Sequence, residues 1–223
     1  MVTRLNWCMK VPARSNEPGG EPMPELTQES IPEPVQKTAQ EPAKEAMHEP
    51  LRKADQTVRN IAIMGVMLAI IEAGKHALDF LPNVELVTLF FMLFTKHFGK
   101  KTYLVAVAFT LIETAIFGIH NWVVMYLYMW PGLITIVLIL RKKEVEVFAY
   151  CMLAAVFGLF FGLFCSIPYY FIGGPKVGFA WWIAGIPYDL VHCVANFVIS
   201  VVLFKPLDMA LTKIRQSLKI ADA

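Results

Sequence analysis

Beyond residue 60, apolar residues gather in six runs, at 61–78, 84–98, 103–118, 122–140, 147–172 and 180–204, and the loops between them alternate between basic and nearly charge-free. In hydrocarbon every backbone N–H and C=O must be paired within its own segment, so apolar runs of roughly 17 to 25 residues become helices. Five of the six runs accept such a helix with their flanking residues. The run at 84–98 is short. It reaches across only with Leu81, Pro82 and Asn83 at one surface and Lys100 and Lys101 at the other. Counting it as a crossing preserves the charge alternation, so the pattern predicts an all-α integral membrane protein with six transmembrane helices.

Lys and Arg collect before the first run (Arg52, Lys53, Arg59), after the second (Lys96, Lys100, Lys101), after the fourth (Arg141, Lys142, Lys143) and after the sixth (Lys205, Lys213, Arg215, Lys219). The opposite loops hold only Lys75 and Lys176. The positive-inside rule then places both termini in the cytoplasm. The formal net charge of +2 hides this sided distribution, which signals membrane orientation and not nucleic acid. An apolar content of 57% and a mean hydropathy of +0.53 agree with a cell-membrane, multi-pass chain. The four cysteines, Cys8, Cys151, Cys165 and Cys193, show no C-x-x-C spacing, so neither a disulfide nor a metal cluster is expected.

Residues 1–58 are a different material, rich in Pro, Glu, Gln, Lys and Ala, as in Glu17-Pro18-Gly19-Gly20-Glu21-Pro22. Such a stretch buries too little apolar surface to offset its ordering entropy and reads as a disordered cytoplasmic tail without a signal-peptide core. A later start at Met47 fits the same composition. The six-helix domain then spans residues 59–215, and 216–223 form a short cytoplasmic tail.

Function has to come from polar groups where lipid disfavours them, because a charge near a helix centre costs about 2.5 to 3.5 kcal/mol on insertion scales. On the first helix Glu72 and His76, and Lys75 and Asp79, are spaced i, i+4, which suits either mutual neutralisation in a pairing network or a ligand site. Asn83 and Glu85 fall at the outer end of helix two, and Glu113 lies within helix three, just before the loop carrying His120, Asn121 and Trp122. Helix six carries the clearest stripe: Asp189, His192, Asn196 and Ser200 fall within about 80° of one another at 100° per residue. Trp122, Tyr126 and Trp130 form an i, i+4, i+8 ladder on helix four, and Trp181, Trp182 and Tyr188 adjoin the outer end of helix six. Aromatic belts are common in membrane proteins, yet acids, amides and rings together on the outer half suit capture of a small, partly aromatic polar solute.

Small residues give a second signal. Gly65, Ala69, Ala73 and Ala77 recur every fourth position on helix one, and Ala154, Gly158, Gly162 and Ser166 do so on helix five. Such ridges let helices approach closely, whether within the bundle or with a partner.

The length, the six helices, the A-x-x-x-A spacings at Ala69, Ala73 and Ala77, and the polar final helix resemble the substrate-binding S-component of an energy-coupling factor (ECF) vitamin importer. The segments Leu81-Pro82-Asn83-Val84-Glu85-Leu86, Phe98-Gly99-Lys100-Lys101, Trp130-Pro131 and Gly185-Ile186-Pro187-Tyr188-Asp189, followed by His192 and Asn196, are similar to stretches of that family. The resemblance covers residues 59 to about 215. It implies a chain that binds a vitamin-like solute on its outer side and docks on a membrane-embedded coupling subunit driven by two cytoplasmic ATPases. It also implies that Gly65, Ala69, Ala73 and Ala77 face the coupling subunit, that the loop Phe80 to Asn83 acts as a lid, and that the plasma membrane of a prokaryote is the setting. The absence of a G-x-x-x-x-G-K-[ST] loop agrees with a chain that hydrolyses nothing itself, and no cofactor is expected.

Two rivals remain. A proton- or ion-coupled secondary carrier could use Glu113 and Asp189, although no inverted repeat or matched pair of broken helices is evident. An intramembrane enzyme could use Glu113, His120, Asp189 and His192, but no nucleophile or metalloprotease signature accompanies them. The solute itself stays open among thiamine, riboflavin, a pyridine, a purine-like base and a corrinoid.

Overall fold

A computed structural model describes residues 33–218, with side chains from residue 52 onward. The chain divides into two units, Met1–Leu51 and Arg52–Ala223, and the core and the polar sites belong to the second. The elements, in order, are α1 (Glu33–Ala77), α2 (Val87–Phe98), a 3₁₀ turn (Gly99–Lys101), α3 (Thr102–Phe117), α4 (Asn121–Lys142), α5 (Val147–Leu159) and α6 (Phe161–Ser217). No strand occurs among the described residues. Helix α1 begins inside the stretch whose composition marks a tail; its Ala, Glu, Gln and Lys are good helix formers. Residues 1–32, with Cys8, and 219–223 lie outside the described residues.

Each of the six apolar runs is helical. Three helical stretches, Arg52–Ala77, Asn121–Lys142 and Val147–Ser217, are long and apolar enough to cross a membrane. The last holds 71 residues and cannot be one straight rod. It turns back at Gly174, whose φ of 80° and ψ of 177° lie in a region that side chains disfavour. The stretches before and after Gly174 each exceed the roughly 20 residues that a crossing needs. Phe160 carries a milder irregularity between α5 and α6.

Helix α2 has 12 residues, a rise of about 18 Å against a hydrocarbon core of about 30 Å. Ten of its residues are buried, among them Phe91, Met92, Leu93 and Phe94. A helix buried on nearly every side sits inside other helices. It packs against α3, α4, α5 and α6, and its central place accounts for a run that is short yet almost wholly apolar. Trp130 anchors the aromatic core beside it, stacked on Phe91 at 4.8 Å and packed against Phe109, Tyr126 and Phe157.

At the other end of α2, Asp208 of α6 accepts hydrogen bonds from Lys96 Nζ at 2.7 Å and pairs with His97 Nε2 at 2.7 Å. This clamp ties the end of α2 that is flanked by Lys100 and Lys101 to the last turns of α6.

Candidate functional site

The ladder on α4 runs from surface to core. Trp122 is half exposed and stacks on His120, Tyr126 is partly buried, and Trp130 is 3% exposed. The upper two rungs face a cleft of about 160 Å³ lined by Asn121, Trp122, Met125, Tyr126, Phe161, Cys165, Tyr169 and Trp181. Its walls come from the first turns of α4 and from the residues on either side of the Gly174 turn, where Tyr169 and Trp181 stack face to face at 4.3 Å. The wall at Cys165 is held by a proline defect. Pro168 has no N–H to donate to the Phe164 carbonyl four residues back, and the Tyr128 hydroxyl of α4 donates to it instead. The sequence pattern does not single out Met125, Phe161, Cys165 or Tyr169; only the Gly173-Gly174-Pro175 turn, which folds Tyr169 back onto Trp181, signals their convergence.

The polar stripe of α6 is buried as its periodicity requires. Asp189, His192, Asn196 and Ser200 are 1 to 4% exposed while Tyr188, Leu190, Val191 and Val194 point outward. The stripe meets the small ridge of α5 and the start of α6. A Cβ on Gly158 would come within 2.8 Å of the His192 backbone, and one on Gly162 within 2.5 Å of the Asp189 carboxylate. That closeness lets the Gly162 N–H donate to Asp189 Oδ1 at 2.7 Å. His192 Nε2 pairs with Glu85 Oε1 at 3.2 Å, and Glu85 Oε2 accepts the Thr88 N–H at 2.8 Å, so Glu85 caps α2 and ties it to α6.

On α1 the i, i+4 pairs do not form. Lys75 donates to Glu113 of α3, and His76 pairs with Asp79 at 2.7 Å, i to i+3. The reason is burial: Glu113 is 3% exposed, and a buried carboxylate demands a cation more strongly than the half-exposed Asp79 does. Lys75 also lies 4.5 Å over the Phe117 ring. Glu72, His76 and Glu113 bring one ligand atom each within 4.8 Å of one another, next to this ion pair.

Of the residues proposed from sequence for solute binding, the cleft therefore gathers Asn121, Trp122, Tyr126 and Trp181. Glu85, Glu113, Asp189 and His192 do not line the cleft and are engaged with protein groups, the His192 ring lying 4.6 Å from the wall residue Phe161, and Asn196 lies further along the buried stripe. Trp130 sits beneath the cleft in the core. His120 is at its rim on Trp122, Trp182 packs edge-on against Phe179, and Tyr188 is 60% exposed. Asn83 occupies the α1–α2 loop in a left-handed conformation, φ 59°, which asparagine tolerates.

The two small-residue ridges differ. Ala154, Gly158, Gly162 and Ser166 are buried, whereas Gly65, Ala69, Ala73 and Ala77 are exposed, with nothing within 4 Å of a Cβ placed on Gly65. No family model, curated protein or solved structure matches the chain.

Proposed function

We propose that this chain is a solute-binding subunit of the ECF S-component type: six crossings with both termini cytoplasmic, capture of a vitamin-like molecule on the outer side, and docking on a coupling subunit driven by two ATPases. The observation that carries the reading is the outward-facing ridge of α1. Four small residues in one line make a smooth strip where another helix can approach closely, and the strip stays exposed among the described residues. The ridge of α5, built to the same spacing, is used internally, so the chain spends one on its own packing and leaves the other open. The aromatic cleft beside the Gly174 turn supplies the second half of the reading, a concave place for a ring-bearing solute on a chain whose sequence holds no G-x-x-x-x-G-K-[ST] loop. In this reading the chain catalyses nothing.

The test is composition and energy source. Solubilised from its native membrane in mild detergent, the chain should bring a coupling subunit and ATPases with it, and uptake should require ATP. Transport by the chain alone in liposomes, driven by a proton or sodium gradient and indifferent to ATP, would establish the secondary carrier instead, with the Glu85–His192 pair as its first candidate for a proton.

A further inference from the structure

We propose that the solute held in the cleft is an uncharged, single-ring aromatic or heteroaromatic molecule with an amide-like polar edge. This rests on the solute-binding reading above and narrows it through the cleft's size, its walls and the placement of charge.

Size comes first. The cleft's roughly 160 Å³ matches the scale at which an apolar cavity of about 150 Å³ accepts benzene. A three-ring flavin or a corrinoid is larger than that space. The walls are rings and sulfur: Trp122, Tyr126, Phe161, Tyr169 and Trp181, with the Cys165 thiol directed at the Met125 thioether. Such walls reward a flat guest through stacked and edge-to-face contacts. The polar groups among the lining residues are the Asn121 amide, the hydroxyls of Tyr126 and Tyr169, the indole N–H donors of Trp122 and Trp181, and the Cys165 thiol. An amide offers a donor and an acceptor side by side, which pairs with a guest that presents both in one plane.

Charge decides the rest. No Asp, Glu, Lys, Arg or His lines the cleft among the described residues. Of the ionisable residues that sequence placed at the site, Glu113 pairs with Lys75, Glu85 with His192, and Asp189 accepts the Gly162 amide, while His120 stands at the rim on Trp122 and the His192 ring lies 4.6 Å behind the wall residue Phe161. An ion entering here would lose water at an effective cost of several kcal/mol with no counter-charge among the lining residues to meet it. For a cation the ring faces return about 2 kcal/mol, too little to balance that loss. An anion recovers less still.

The test uses one ring in three charge states, followed by tryptophan fluorescence of the full chain in nanodiscs, to which the cleft residues Trp122 and Trp181 contribute two of five tryptophans. Nicotinamide is neutral, nicotinate anionic and 1-methylnicotinamide cationic. Nicotinamide should quench and bind at least about tenfold more tightly than either ion, with riboflavin weaker than all three. Trp181→Phe should remove most of the quench, and Asn121→Ala should weaken nicotinamide several-fold without lowering the melting temperature. Tighter binding of either ion or of riboflavin overturns the proposal, as does the absence of any nicotinamide binding up to about 10 mM. In each of those cases a coupling subunit that still copurifies leaves the importer reading standing, so the two failures are distinguishable.

Discussion

Asp189 accepts the Gly162 backbone amide at 2.7 Å across the hairpin of α6, and the two residues approach so closely that a methyl on Gly162 would have to displace the carboxylate. The polar stripe of the last helix is thereby explained as a seam. Asp189, His192 and Asn196 face the small ridge that begins on α5, and the seam reaches the cleft wall where the His192 ring packs 4.6 Å from Phe161.

Substitutions along that seam should separate by what the new methyl meets. Gly158→Ala drives a Cβ into the His192 backbone, which cannot step aside, whereas Gly162→Ala meets a carboxylate that can rotate. Both should lower the melting temperature in detergent, with overpacking costs of about 1 to 3 kcal/mol and Gly158→Ala the worse. Combining Gly162→Ala with Asp189→Ala should cost less than the sum of the two single changes, because the second removes the obstacle to the first. Additive losses would mean that the two residues do not share a contact.

The Lys75–Glu113 pair yields a prediction opposite to the one its sequence position suggests. As a cleft residue Glu113 would govern affinity; bonded to Lys75 and 3% exposed, it governs folding. Lys75→Met should destabilise by about 3 to 5 kcal/mol by leaving a buried carboxylate unpaired, and Lys75→Met with Glu113→Leu should recover most of that. Solute affinity of whatever fraction folds should stay at the wild-type value in both. A large affinity loss without a stability loss would return Glu113 to the binding site.

Much of the fold was legible because apolar runs announce helices: all six are helical, three helical stretches are long and apolar enough to cross a membrane, and the α6 stripe is buried at the positions its period marks. Pairing was less legible. Helical spacing relates Lys75 only to neighbours on its own helix, while its partner stands 38 residues away on α3. The cleft was half legible for a similar reason. The α4 ladder is a local period, but Tyr169 reaches Trp181 through the Gly174 turn, and no repeat in the sequence registers that reversal. Nor did spacing separate the two ridges, since small residues at every fourth position read the same whether they face inward or outward.

Tyr128 and Pro168 give a cycle with a distinct signature. Tyr128→Phe strips the donor from the Phe164 carbonyl that Pro168 leaves unpaired, a loss of about 1 kcal/mol. In a Pro168→Ala background residue 168 can donate to that carbonyl itself, so the same Tyr128→Phe change should then be nearly silent. Because Phe164 adjoins Cys165 of the cleft wall, Tyr128→Phe alone should also loosen nicotinamide binding. Equal effects of Tyr128→Phe in both backgrounds would show that the hydroxyl serves another group.

The exposed ridge of α1 separates stability from assembly. Ala73 is exposed and nothing lies within 4 Å of a Cβ on Gly65, so Ala73→Leu and Gly65→Ala should leave the stability of the solitary chain within about 0.5 kcal/mol of wild type, Gly65→Ala rising slightly because alanine favours helix. Ala73→Leu adds a larger side chain to a strip whose use depends on close helix approach, so it should abolish recovery of the coupling subunit and ATP-driven uptake while solute binding by the purified chain persists. Gly65→Ala adds one methyl near the end of the strip and should weaken assembly less. An Ala73→Leu variant that assembles and transports normally would remove the ridge as a docking surface, and with it the observation on which the importer reading chiefly stands.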